Sequence, residues 1–407
     1  MWVAYPKASQ LLAGAASVFI IASALGVDQF GWYAIGATCV ALMKILSAAA
    51  GHNLLLINDG SAPTSESPPA RYLYMPILRL SGATSLLVLA CGVAIALLLE
   101  RQVRFSLTEM LLISAAGATG FVQIIRRNLE LQEHYDLVAY AAISANLTGL
   151  VMRLSVAFLL QEGQLITGFF AVLVLEPLLF TVLLKLYRGI ASTAPDAYSV
   201  PNGDIRSARE FVAPATILVV ASVFDTVYLR IDEFMMMGMT TPVETSLYAF
   251  AARISEMCNI LGSVFLIVVA PRLKERVANN EFVNKTISIA LTLGLIFAMS
   301  SIAVICVFDS LLLKIVGPAF AGFEKVFYVH VWSVIFVLLG GLGTLLLNIT
   351  DQPRRILKVT VVGAAANVVM NLLAIPVYGA LGAAWATCFS YAVVAIATIV
   401  LFKNTAL

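Results

Sequence analysis

The 407-residue chain is 61% hydrophobic and only 12% charged, with a net charge of +2 and a mean hydropathy of +0.95. Soluble domains hold about 45–50% apolar and about 25% charged residues, so the composition excludes an ordinary water-soluble globule and points to a bilayer. The near-neutral balance gives nucleic acid no electrostatic footprint.

In chain order, the first apolar run, 8–27, follows a single basic residue, Lys7. At about 20 residues it is long enough to cross a hydrocarbon core of about 30 Å, so it reads as a first helix and not as a cleavable signal. Further runs of spanning length are predicted over 30–50, 76–99, 108–126, 137–160, 163–185, 210–235, 245–270, 286–308, 326–350, 357–376 and 379–402. The stretch Val359–Phe402 carries no charge and would reach about 66 Å as one helix, roughly twice the hydrocarbon thickness. It must therefore turn back, and Ile375-Pro376-Val377-Tyr378-Gly379 supplies the proline that ends a helix and the glycine that permits a turn. The expected fold is an all-α membrane protein of twelve transmembrane helices.

Basic residues set the expected orientation. With both termini inside, seventeen of the 25 Lys and Arg residues fall on inner segments, and only Arg101, Arg104, Lys314 and Lys325 on outer loops. The Ser/Pro-rich run Ser61–Ala70 occupies one long inner connection, and 186–208, with Pro195 and Pro201-Asn202-Gly203, occupies another. The second lies midway. Expected domains are an N-terminal six-helix lobe (1–187), a cytoplasmic linker (188–208) and a C-terminal six-helix lobe (209–407). Tyr33-Ala34-Ile35-Gly36-Ala37 echoes Tyr248-Ala249-Phe250-Ala251-Ala252 at an offset of 215, and Val151-Met152-Arg153-Leu154 echoes Val369-Met370-Asn371-Leu372. These echoes suggest a parallel duplication, because six spans return each half to the same face.

Charges inside apolar spans are costly, about 2.5–3.5 kcal/mol at a helix centre, and so mark candidate sites. They are Lys44, Arg153, Glu176, Asp225, Arg230, Asp232, Arg253 and Glu256. Lys44 falls about 21 Å from the expected outer end of its helix and Arg253 about 13 Å. Arg230 and Asp232 lie near a helix end, where snorkelling to headgroups is an equal alternative. Arg253 and Glu256 are three residues apart and can pair on one helix face. Asp225 has no basic residue at helical spacing and needs a partner elsewhere, such as Lys44, Arg153 or Arg253.

A cavity collecting Lys44, Arg153, Arg230 and Arg253 would suit a phosphate or diphosphate. Glu176, Asp225 and Glu256 suit instead a coupling proton or sodium ion. Glu176 precedes Pro177, a sequence that bends a helix beside a polar site or merely kinks it for packing. The five cysteines and three histidines are scattered through apolar stretches and read as packing residues; no metal or cofactor is expected. No phosphate-binding Gly-rich loop, His-Glu-x-x-His or Gly-x-Ser-x-Gly occurs, so neither nucleotide hydrolysis nor covalent catalysis has a visible apparatus.

Three stretches resemble a known family. They are Gly26-Val27-Asp28-Gln29-Phe30-Gly31-Trp32-Tyr33-Ala34, Arg230-Ile231-Asp232 with Tyr248-Ala249-Phe250-Ala251-Ala252-Arg253-Ile254, and Ile375-Pro376-Val377-Tyr378-Gly379-Ala380-Leu381-Gly382-Ala383-Ala384-Trp385-Ala386-Thr387. They are similar to the Wzx-type polysaccharide and O-antigen flippases, within the superfamily of multidrug, oligosaccharidyl-lipid and polysaccharide exporters. The resemblance implies a V-shaped pair of bundles in a bacterial cytoplasmic (inner) membrane that exports a lipid-linked oligosaccharide for polysaccharide biosynthesis. It implies membrane lipids and polysaccharide assembly proteins as partners. It also places Lys44, Arg230 and Arg253 on helices lining a central cavity. A cation-coupled multidrug exporter of the same superfamily is the alternative, and a membrane glycan polymerase or ligase a remote one, since every expected outer loop is short.

Overall fold

The computed structural model describes residues 4–60, 70–99, 104–131, 134–191, 220, 224–225, 228–278, 284–350 and 352–403. All the regular structure among them is helical: α1 (Ala4–Gly60), α2 (Ala70–Leu99), α3 (Leu107–Ala118), α4 (Val122–Leu131), α5 (Tyr135–Leu159) and α6 (Leu165–Ala191). A helix over 228–239, α7, follows, then α8 (Pro242–Ala278), α9 (Asn284–Val316), α10 (Phe323–His330), α11 (Ser333–Ile349) and α12 (Pro353–Lys403). Helices satisfy every interior backbone group within one segment, which is the requirement a hydrocarbon solvent imposes.

Seven helices among the described residues are long and apolar enough to cross a membrane. Two of them, Ser9–Ala48 at 40 residues and Pro353–Lys403 at 51, are at least twice the roughly 20 residues of one crossing. Each is broken. Gly26 interrupts α1 with φ 66°, ψ 176°, and Gly379 interrupts α12 with φ 53°, ψ −131°, inside the Ile375–Gly379 stretch where a break is expected. Both conformations are essentially closed to residues bearing a Cβ. The predicted spans 76–99, 210–235 and 245–270 are not among the seven. The first contributes a shorter apolar helix, Ser81–Ile95; much of the second lies outside the described residues; the third lies on α8.

The chain divides into two compact units, one of Met1–Ala13 with Gly36–Val223 and the other of Gly14–Ile35 with Phe224–Leu407. This division differs from lobes of 1–187 and 209–407, because 14–35 groups with the later helices. The reason is aromatic packing: Phe19 and Phe30 set their rings edge-on against Phe250 of α8, at 5.9 and 6.0 Å. Phe320 and Phe323 close the cluster on Phe250 at 5.0 and 5.1 Å. Aromatic contacts at these spacings, three edge-to-face and the Phe250–Phe320 pair tilted, add to the area burial of large rings. The greater part of the expected linker, 192–208, lies outside the described residues.

In the first unit α5 packs along α6 and α3 against α2 and α6. A polar knot fixes α1 to its neighbours. The Ser47 hydroxyl is within 2.9 Å of Gly117 O and 3.0 Å of Lys44 O, while Ser81 and Thr84 of α2 donate to Ser47 O at 2.8 and 3.1 Å. Gly120 lets the backbone approach Lys44 here; a Cβ would strike Ser47 Oγ and Lys44 O. In the second unit α11 lies against α8, α9 and α12, around a core that includes Leu273, Leu338, Leu342 and Leu346.

Candidate functional site

The first unit places Lys44, Arg153 and Glu176 in one electrostatic neighbourhood. Arg153 of α5 is buried and donates from Nη2 to Glu176 Oε2 of α6 at 2.6 Å. Gly149, one turn before Arg153, leaves room for the pair: a Cβ there would sit 2.9 Å from both Arg153 Nη1 and Glu176 Cδ. Pro177 lies inside α6 directly after Glu176, and Thr181 donates at 3.0 Å to Pro177 O. Lys44 has no ion pair among the described residues. The three side chains therefore sum to one positive charge.

The second unit holds a closed ring of four charges. Arg230 of α7 grips Glu256 of α8 through both guanidinium ends, at 2.8 and 3.0 Å, and reaches Glu233 at 3.3 Å. Arg253 of α8 contacts Glu233 at 2.8 Å and Glu256 at 3.4 Å. Two cations face two carboxylates, each shared, so the ring is neutral. Bidentate geometry of this kind makes strong charge-assisted hydrogen bonds. Asp225 is exposed and has no ion pair among the described residues. The expected partners Arg153 and Arg253 are engaged with glutamates instead.

Beside the ring lies a buried hydrogen-bonded cluster. Asp232 accepts a hydrogen bond from the Tyr248 hydroxyl, and Thr387 Oγ1 stands 3.1 Å from both Asp232 Oδ2 and Tyr248 Oη. All three are buried. His330 of α10 is buried too, with Nδ1 against Ser255 Oγ. Asn371 donates to Asn367 at 2.8 Å, and Asn367 donates to Ser390 at 3.1 Å.

Arg230 and Asp232 do not snorkel from a helix end: Asp232 is buried and Arg230 is tied to Glu256. The Arg253–Glu256 pair forms as its spacing predicts, but Glu233 is the closer partner of Arg253. Glu233, Tyr248 and Thr387 are absent from the predicted set. The three-residue spacing of Arg230 and Glu233 was a readable signal for the first. The other two are uncharged, and nothing in one sequence marks them as bonded to Asp232. Among the described residues no group of His, Cys, Asp or Glu is placed to hold a metal ion.

No protein-family model matches the chain, and no curated protein matches it. Solved structures do. The lipid II flippase MurJ in an inward closed conformation superposes with a TM-score of 0.70 at 12% identity, covering 99% of this chain and 87% of that one. A mutant form of the MATE transporter VcmN from Vibrio cholerae gives 0.65 at 10% identity, over 98% and 94%. A MOP superfamily transporter from Pyrococcus furiosus gives 0.59 at 13% identity, over 99% and 93%. The chain is thus an all-α, multi-span membrane protein with the fold of the MATE and MurJ transporters of the MOP superfamily.

Proposed function

We propose that the chain is an alternating-access transporter that flips a polyprenyl-diphosphate-linked oligosaccharide across a bacterial cytoplasmic membrane. In this reading it has twelve spans, both termini in the cytoplasm, and duplicated sequence halves at 1–187 and 209–407 joined by 188–208. Polysaccharide assembly proteins act before and after it. Transport, not covalent chemistry, agrees with the transporters whose fold it has.

The observation that carries the proposal is Lys44. A cation on a spanning helix with no ion pair among the described residues lacks the compensation that hydrocarbon demands. A diphosphate supplies it. Arg153 joins Lys44 on the substrate when Glu176 is neutralised, so Glu176 serves as the coupling carboxylate, with a proton or sodium ion as its partner. Arg230 and Arg253 are already matched by Glu233 and Glu256, so they contribute to substrate only where those glutamates release them. The test is flipping of a fluorescent polyprenyl-diphosphate oligosaccharide in proteoliposomes. Lys44→Ala should lower the rate about tenfold or more, the worth of one charge-assisted hydrogen bond, and Lys44→Arg should keep most of it. Unchanged flipping by Lys44→Ala removes the basis of the proposal.

A second reading, a cation-coupled multidrug exporter, is favoured by the neutral ring beside Asp232, Tyr248 and Thr387. A buried carboxylate with two hydroxyl neighbours is suited to gain and lose a proton. Under this reading Asp232→Asn abolishes proton-driven export of a cationic dye while Lys44→Ala leaves it intact.

A further inference from the structure

Within the second unit α8 and α9 border a cavity of about 230 Å³. Phe265, Val269 and Ile289 give it an apolar wall, and Arg272, Arg276 and Lys285 bring three cations to it; no acid among the described residues lines it. Arg272 and Arg276 are four residues apart on α8 and so share a face. Lys285 is the second residue of α9. All three cations stand where apolar spans end. The uncharged run of α8 closes at Pro271, and that of α9 opens at Thr286. Among the described residues neither Arg272 nor Lys285 has an ion pair. The apolar wall continues outward: Ile289, Ile296 and Met299 of α9 are 42%, 54% and 54% exposed and follow one another at helical spacing.

We propose that this cavity binds the phosphate of an anionic membrane phospholipid, with one acyl chain along the exposed stripe of α9. A basic pocket between helices at the membrane boundary attracts such headgroups, and a neighbouring apolar face accepts the tail. Free phosphate shares the headgroup chemistry but has no use for Ile289, Ile296 and Met299. The inference rests on the chain spanning a membrane and is independent of the solute it carries.

The experiment is native mass spectrometry of the full chain in detergent with added phosphatidylglycerol or phosphatidylcholine. The wild type should retain phosphatidylglycerol in preference. R272Q/K285Q should weaken that retention about 30-fold, the loss of two surface cations, while R272K/K285R keeps it. I289N, with all the cations in place, should also weaken it. Equal retention of the two lipids, retention unchanged in R272Q/K285Q, or displacement of the lipid by excess inorganic phosphate overturns the proposal. Retention by R272K/K285R, and a charge-state distribution of R272Q/K285Q and I289N matching that of the wild type, distinguish lost binding from a misfolded chain.

Discussion

Glu233 shows how the setting of one residue redirects the expected role of another. Its side chain is only 2% exposed, and it is held by Arg253 at 2.8 Å and Arg230 at 3.3 Å. In the sequence Arg253 is both a candidate substrate cation within an apolar span and, by its spacing, a possible partner of Glu256. In the structure it is first the counter-charge of a buried carboxylate. Removing one partner of such a pair costs about 3–5 kcal/mol because the other charge is stranded. Arg253→Ala should therefore lower the unfolding midpoint in detergent, and Arg253→Ala/Glu233→Gln should recover most of the loss. A single variant as stable as the wild type would mean that the ring contributes nothing to packing α7 on α8. Lys44 is the contrasting residue. With no ion pair to break among the described residues, its loss should act on transport and leave the midpoint nearly unchanged.

At the scale of the element, the two long helices are divided by glycines of different burden. Gly26 and Gly379 both adopt positive φ, and a Cβ in such a conformation costs about 1–3 kcal/mol. Around Gly26 nothing lies within 4 Å of an added Cβ, whereas at Gly379 it would run into the Glu244 carboxylate. That carboxylate also accepts from the Ala380 amide at 3.3 Å, one of the backbone donors left open where the second half of α12 begins. Gly379→Ala should thus be more destabilising than Gly26→Ala, as measured by thermal unfolding in detergent. Glu244→Ala added to Gly379→Ala should relieve part of the difference. If the two glycine variants are equal, backbone conformation alone sets the cost.

For the whole molecule the testable property is topology. The bias of basic residues predicts that the C-terminus lies inside and the connection between α9 and α10 outside. A reporter fused after Lys403 should be active only in the cytoplasm, and one inserted between Gly317 and Gly322 only outside. Activity of both on one face would break the twelve-span arrangement. Cryo-microscopy of the protein in lipid would then give the true number of crossings. Fold likeness at 10–13% identity over nearly the full chain fixes the scaffold and leaves the solute to experiments of the kind proposed for Lys44.

Much of this was written in the sequence. An apolar fraction of 61% points to a bilayer, and uncharged runs of about 20 residues there read as helices, whose backbone is bonded within one segment. The uncharged stretch Val359–Phe402 had to break, and the only Pro and Gly pairing near its middle marked the place. The spacing of Arg253 and Glu256 announced their contact. Tertiary structure alone decided which bundle residues 14–35 join, since Phe19 and Phe30 would be equally apolar against either. It alone decided that Arg153 meets Glu176 and that Arg230 and Arg253 share Glu233 and Glu256. Those partners lie on different helices or are chosen among several acids, and one-dimensional spacing carries no information on distances between helices. Periodicity reports the solvent each helix meets; only packing reports which charges meet each other.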